Sequence, residues 1–193
     1  PPVTPKGAIK TMIEKLEGHQ INVLVDKLGE RLQFERTGTR IYDALLAKFD
    51  AADVHEGGPT RAELEQFRDE EHRHFMLVRD AIRQLGADPT AVTPSADLVA
   101  VAGLGLVQAV TDPRTTLTQA LDVVLIAELA DNDSWHLLID LAQALGFREL
   151  AAQFRGALAE EDVHLARVRG WITTAVLGQS GAVPTPPEQR QPA

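Results

Sequence analysis

Two short motifs in the chain each pair a glutamate with a histidine three residues later. They are Glu71-His-Arg-His74 and Glu161-Asp-Val-His164, and each follows a lone glutamate, Glu35 or Glu128. Residues three apart lie on one face of an α-helix, so each motif presents a carboxylate and an imidazole to the same point in space. This mixture of ligands suits two divalent metals of intermediate hardness. The six residues therefore predict a metal site.

The spacing of these residues places them at a common depth in two helical hairpins. Glu128 lies 18 residues before Gly146, while Glu161 and His164 lie 15 and 18 residues after it. Glycine is the expected residue just past a helix C-terminus, so a turn at Gly146 would join predicted helices 117–145 and 148–177. In the first half of the chain, Glu35 and the Glu71 motif flank the breaker-rich segment 50–59 in the same way.

The predicted ligands interrupt rows of apolar residues that recur every three or four positions. Glu35 follows Leu28 and Leu32 in such a row, which predicts that it faces the core. Capping-box sequences at Thr60-Arg-Ala-Glu63 and Thr116-Leu-Thr-Gln119 mark the starts of two of the helices. Acidic residues on inward faces need a compensating partner.

Residues 86–115 form the longest connection in the chain. Its apolar segment, Leu98 to Val110, predicts a short extra helix in which Gly103 and Gly105 allow close contact. A connection of this length can return along the whole bundle, so that the second and third bundle helices run parallel.

With its ligands in this order, the chain resembles the ferritin-like di-iron carboxylate proteins, which include bacterioferritins, rubrerythrins and manganese catalases. These proteins take one glutamate from each of two helices and a Glu-x-x-His motif from each of the other two. The resemblance spans roughly residues 20–177. It implies an all-α, ferritin-like four-helix bundle, made of two antiparallel hairpins joined by a long crossover. It also implies two iron ions as cofactors, or alternatively two manganese ions.

The resemblance implies a role for each residue. Glu71 and Glu161 would bridge the metals, Glu35 and His74 would complete one metal, and Glu128 and His164 the other. Tyr42 lies seven residues after Glu35 on the same face, where bacterioferritins have a similarly placed tyrosine. We therefore predict Tyr42 as a catalytic residue that bonds a ligand carboxylate or donates an electron; an ordinary buried hydrogen bond is the alternative.

Three more acidic residues, Glu70, Glu160 and Asp131, lie beside the predicted ligands, and we favour a solvated helix face for them. Alternatively, Glu70 and Glu160 orient the histidine of the opposite motif through its second ring nitrogen. Asp131 falls where rubrerythrins carry an additional glutamate, and the shorter side chain argues against rubrerythrin-like peroxidase chemistry. His72 should point off the ligand face. The other histidines belong to no pattern: His19, His55 and His136.

Composition limits the partners of this chain of 193 residues, which we expect to form one domain. Its net charge of -9 disfavours nucleic acid or an anionic membrane as the main partner. The absence of cysteine excludes iron–sulfur clusters and thiol chemistry, so an external electron donor is required. The apolar run 98–110 is too short to span a bilayer. Nothing at the N-terminus resembles a signal peptide, and we expect a cytoplasmic homodimer.

The expected organisation is an N-terminal arm (1–19), the bundle (20–177) and a disordered, Pro-rich tail (178–193). The arm would pack on the bundle or on a neighbouring subunit. The expected function is that of a di-iron oxidoreductase of the ferroxidase type, which uses O2 or H2O2 to oxidise Fe(II) or another donor. The alternatives are a dimanganese catalase, iron storage or sequestration without catalysis, and a bundle whose metal is purely structural.

Overall fold

The part of the chain that the structure describes forms five α-helices. The computed structural model describes the backbone of residues 5–182 and the side chains of residue 18 and residues 20–182. The helices are α1 (Pro5–Phe49), α2 (Arg61–Gln84), α3 (Pro94–Thr111), α4 (Leu117–Ala144) and α5 (Arg148–Ser180). Residues 5–182 contain no strand, so the all-α prediction is confirmed.

The helix ends follow the sequence signals. Thr60 caps α2 and Thr116 caps α4, and both form the predicted capping boxes with Glu63 and Gln119. Gly146 has a φ of 84° and lies between α4 and α5. Glycine adopts this left-handed conformation without strain, and it ends α4 where the spacing of the ligands requires a turn.

Two boundaries differ from the expected organisation. The predicted arm is helical from Pro5 and joins the first bundle helix without a break, because α1 is continuous to Phe49. A single interior glycine such as Gly18 costs a helix only about 1 kcal/mol, which is too little to end it. The contacts of the arm lie outside the described side chains. At the other end, α5 extends to Ser180, and residues 183–193 of the predicted tail lie outside the described residues.

The long connection returns the chain along α1. At one end of α3, Thr93 Oγ1 donates a hydrogen bond to the carbonyl oxygen of Asp26 at 3.3 Å. Just beyond the other end, Lys48 Nζ donates to the carbonyl oxygen of Thr115 at 2.6 Å. Helix α3 therefore runs parallel to α1, and α4 begins beside the C-terminus of α1. As a result α2 and α4 run in the same direction, both antiparallel to α1.

Four of the helices form a bundle in which each packs against two neighbours. Helix α1 contacts α2 and α4, and helix α5 contacts the same two from the opposite corner. Two apolar clusters fill the bundle, one around Leu28, Trp135 and Phe154 and the other around Leu45, Phe67 and Trp171. The predicted metal ligands lie in sequence between these clusters on each of the four helices, so the site has an apolar layer on either side.

Helix α3 is longer than the predicted short helix and packs on the outside of α1. Gly103 approaches α1 closely, since a Cβ there would lie 3.0 Å from Thr37 Cγ2, whereas Gly105 has nothing within 4 Å. The prediction of close contact is therefore right for Gly103 and wrong for Gly105. By length and composition α3 could cross a membrane, with 18 residues and a mean hydropathy of 1.4, a test that core helices of soluble proteins also pass. The expectation of no membrane partner stays a prediction.

Candidate metal centre

The structure brings the six predicted metal ligands together in the bundle interior. Each is at most 3% exposed. Ligand atoms of one group lie within 4.8 Å of one another, as do those of a second group that shares Glu161 with the first. The first group is Glu71, Glu128, Glu161 and His164, and the second is Glu35, His74 and Glu161. Two overlapping sets of donors thus come from four different helices.

Both histidines direct Nδ1 towards the cluster and Nε2 away from it. His74 Nδ1 lies 2.7 Å from Glu161 Oε1, and His164 Nδ1 lies 3.3 Å from Glu161 Oε2. On the outer side, His74 Nε2 is 2.8 Å from Glu160 Oε2, and His164 Nε2 is 2.7 Å from Glu70 Oε2. A carboxylate that accepts a hydrogen bond from Nε2–H keeps the proton on the outer nitrogen and leaves Nδ1 free to bind a metal.

The solvated interpretation is wrong for two of the three neighbouring acidic residues. Glu70 is 7% exposed and Asp131 is 2% exposed. The side chain of Glu160 is 39% exposed, yet it still holds His74. Glu70 and Glu160 therefore contact the histidine of the opposite motif, as in the alternative interpretation. His72 is exposed and lies off the ligand face, as predicted.

Tyr42 is buried and reaches across the bundle to a ligand on another helix. Its hydroxyl group donates a hydrogen bond to Glu128 Oε1. Burial and the neighbouring charge of Glu128 raise the pKa of Tyr42 well above its usual value, so the hydroxyl group keeps its proton. The predicted contact with a ligand carboxylate is present, while a role in electron transfer stays a prediction.

Arg31 also belongs to the site, although none of the sequence patterns predicted it. It is 1% exposed; its Nε lies 2.9 Å from Glu35 Oε1 and its Nη2 lies 3.0 Å from Asp131 Oδ2. Burial lowers the pKa of Arg31, but the charges of Asp131 and Glu35 outweigh this effect and raise it. The available signal was its position three residues after Leu28 and four before Glu35, on the inward face of α1.

The charges at the centre leave room for two divalent cations. Five carboxylates surround it, and Arg31 neutralises one of them, which leaves four negative charges; the five are Glu35, Glu71, Glu128, Asp131 and Glu161. Burial and neighbouring carboxylates raise the pKa of Glu35 and Glu128 well above the usual value. Burial also acts to raise the pKa of Glu161, but the two adjacent imidazoles lower it overall. Without a metal, the cluster can thus reduce its net negative charge only by binding protons.

Buried atoms without hydrogen-bond partners also fit a centre that binds cations. Apart from Glu35 Oε1, which lies beside Arg31, seven such atoms of the predicted ligands line the centre: Glu35 Oε2, Glu71 Oε2, Glu128 Oε2, both carboxylate oxygens of Glu161, His74 Nδ1 and His164 Nδ1. Buried polar atoms rarely lack partners, because leaving one unpaired costs about 1–3 kcal/mol. Metal ions would satisfy all seven at once, so the donor set fits a dinuclear metal site.

We predict that Gly38→Ala weakens metal binding about 10- to 100-fold, the usual effect of disturbing a residue that supports a metal ligand. A Cβ at Gly38 would collide with Glu71 Oε2 and displace this carboxylate. Gly156→Ala is the matched control, because a Cβ added at that helical glycine would have nothing within 4 Å of it. Titration with Co2+, with circular dichroism to check folding, measures the effect. Equal affinities in the two variants would contradict the prediction.

Nine side chains therefore form one connected arrangement: the six predicted ligands, Tyr42, Arg31 and Asp131. It combines mixed nitrogen and oxygen donors, a negative charge that two cations would balance, and an apolar surrounding. The chain matches no protein-family model, no curated protein and no solved structure.

Proposed function

We propose that the protein is a di-iron oxidoreductase of the ferroxidase type, which uses O2 or H2O2 to oxidise Fe(II) or another donor. The observation that carries this proposal is the convergence of seven unpartnered ligand atoms in a buried, negatively charged site. The helix order, with a long return helix between two hairpins, also supports a ferritin-like four-helix bundle.

In this proposal Glu35 and His74 would hold one iron ion, and Glu128 and His164 would hold the other. Glu71 and Glu161 would bridge them. The contacts of Glu161 support its bridging role, because its Oε1 faces His74 and its Oε2 faces His164. When bound, two ferrous ions would supply one electron each, which would make the two-electron reduction of O2 or H2O2 accessible.

The protein's own residues position the ligands and keep bulk water away. Tyr42 holds Glu128, while Glu70 and Glu160 hold the two histidines. The ring of Phe67 packs on that of His164 with centroids 4.0 Å apart, and Trp135 meets His74 edge-on at 5.7 Å. These aromatic side chains lower the local dielectric, which strengthens the electrostatic interactions within the site.

The test is to load the metal-free protein with Fe(II) under anaerobic conditions and then add O2 or H2O2. We expect two iron ions per chain and a near-ultraviolet ferric absorption that appears on oxidation. Glu71→Ala should abolish this absorption, whereas Asp69→Ala, a variant at an exposed acidic residue of the same helix, should retain it. Failure to bind iron would refute the proposal. Stoichiometric binding without any response to oxidant would indicate a structural metal instead.

A dimanganese catalase is the second candidate. The mixed nitrogen and oxygen donor set suits manganese as well as iron. A catalase also needs no external electron donor, which agrees with a chain that has no cysteine. Release of O2 from H2O2 by manganese-loaded but not by iron-loaded protein would favour this candidate. Sedimentation distinguishes either enzyme from an iron store, because a storage protein would form a large hollow shell and the expected homodimer would not.

A further inference from the structure

The two halves of the centre hold their terminal glutamates in the same way but with different partners. Glu35 Oε2 lies 3.9 Å from His74 Nδ1, and its other oxygen, Oε1, lies 2.9 Å from Arg31 Nε. Glu128 Oε2 lies 3.7 Å from His164 Nδ1, and its Oε1 accepts a hydrogen bond from Tyr42. The outward oxygen therefore meets a cation in one half and a neutral hydroxyl group in the other.

The sequences of the two hairpins account for this difference. Arg31 lies four residues before Glu35, whereas the residue four before Glu128 is Val124, which is fully buried in the apolar core. The second half has no arginine at the corresponding position. The guanidinium group instead extends from α1 to Asp131 on α4, so both of its charged partners lie beside the Glu35 half of the centre.

The carboxylates that contact Nε2 of the two histidines also differ, and again the stronger support lies in the Glu128–His164 half. The side chain of Glu160, which holds His74, is 39% exposed, whereas that of Glu70, which holds His164, is 10% exposed. Water around Glu160 competes for its charge, so it supports the imidazole less strongly than a buried carboxylate does. Arg73 does not cause the difference, since its Nη2 lies 3.2 Å from Glu160 Oε1 and 3.3 Å from Glu70 Oε1.

We infer that the two metal positions are inequivalent: the Glu128–His164 position binds its ion tightly, the Glu35–His74 position binds weakly and exchanges, and Arg31 sets the difference. The inference rests on the proposed dinuclear site. A charge-assisted bond to Arg31 withdraws negative charge from Glu35 itself, while Asp131 balances the charge of the guanidinium group, so Arg31 weakens this position through its bond to Glu35. A neutral tyrosine hydroxyl group has a smaller effect on Glu128. Arg31 is thus a positioning residue that acts through Glu35.

A small pocket between α1 and α4 lies on the side of the weaker position. It has a volume of about 20 Å³ and is lined by Phe34, Leu138 and Arg31, among others. Arg31 lines this pocket and contacts Glu35 directly. A single side chain therefore separates the pocket from the weaker position. A space of this size admits about one water-sized molecule.

Titration of the metal-free protein with Co2+, followed by calorimetry and visible absorption, tests the inference. We expect two binding events whose Kd values differ at least about tenfold. His74→Ala should remove the weaker event and keep the tighter one, and His164→Ala should do the reverse. Two equal affinities, or the opposite assignment, would overturn the inference and leave the proposed function in place. A protein that binds no Co2+ would overturn both.

Charge-matched variants isolate the role of Arg31. Arg31→Gln combined with Asp131→Asn removes the guanidinium group but keeps the net charge of the site, and it should strengthen the weaker event about tenfold. Arg31→Lys retains the cation and should keep the two events apart. If the double variant, folded by circular dichroism, retains the wild-type separation, Arg31 does not set it and the inference fails. The histidine variants test the assignment of the two positions even if the double variant does not fold.

Discussion

Glu161→Gln is expected to abolish metal binding at both positions, with a loss of affinity of about a thousandfold. Glu161 belongs to every group of converging ligand atoms, and its two oxygens face different histidines. Removing one member of a buried charge cluster costs about 3–5 kcal/mol, which corresponds to two to four orders of magnitude in Kd. Glutamine has nearly the same shape, so the loss would reflect the missing charge rather than altered packing.

Two control variants make this measurement specific. Glu149→Gln removes a carboxylate from the same helix at an exposed position and should leave Co2+ binding unchanged. Glu160→Gln alters the residue next to Glu161 and should weaken binding only about 10- to 100-fold, since Glu160 acts through His74. Retention of one ion at full affinity in Glu161→Gln would show that this residue serves a single position and does not bridge.

The convergence of the six predicted ligands could be anticipated because local rules determine each step of the inference. Helical periodicity selects the inward face, and the residues of α5 that continue the three- and four-residue steps from Glu161 and His164 are buried: Leu150, Phe154, Ala157, Val168, Trp171 and Ala175. Capping boxes and Gly146 then set where the hairpins begin and turn. Because each hairpin carries its predicted ligands at matching distances on either side of its turn, equal depth followed without knowledge of how the helices pack.

Contacts between helices were harder to predict. Arg31 and Asp131 are 100 residues apart, and their pairing depends on how closely α1 and α4 approach each other. Glu70 and Glu160 each lie about 100° around the helix from a ligand, an angle that fits a solvated face equally well. These side chains reach the opposite histidines because α2 and α5 lie close enough together, which the sequence does not show.

The metal-free protein is expected to lose stability as the pH rises above about 5, because several buried groups keep their protons in the folded state. Burial, together with nearby carboxylates, raises the pKa of Glu35, Glu128 and Asp131 well above the usual values of 4.5, 4.5 and 3.8. Their stabilisation is complete below those values and is lost as the pH rises through the folded-state pKa. Each group lowers the free energy of unfolding by about 1.4 kcal/mol per pH unit within that interval.

The histidines contribute with the same sign. Burial lowers the pKa of His74 and His164, but adjacent Glu161 outweighs it, so both are raised above the usual value of 6.5. Their stabilisation is present below that value and is lost as the pH rises through the raised pKa. The lowered pKa of Glu161 has the opposite sign, but its contribution is complete above 4.5 and changes only in acid. Between neutral and alkaline pH, all of these groups therefore act in one direction.

Metal loading should reverse this trend, because cations favour the deprotonated carboxylates and the neutral imidazoles. Urea unfolding of metal-free and Co2+-loaded protein, followed by circular dichroism at several pH values, measures both curves. At a hundredfold excess over Kd, each ion adds about 2.7 kcal/mol, and the gap between the curves should widen as the pH rises. Glu128→Gln should flatten the metal-free curve, since a residue that cannot ionise removes one of the groups responsible for the slope. A metal-free stability that is constant or rises between about pH 6 and 9 would mean that the carboxylates are already ionised and compensated without metal.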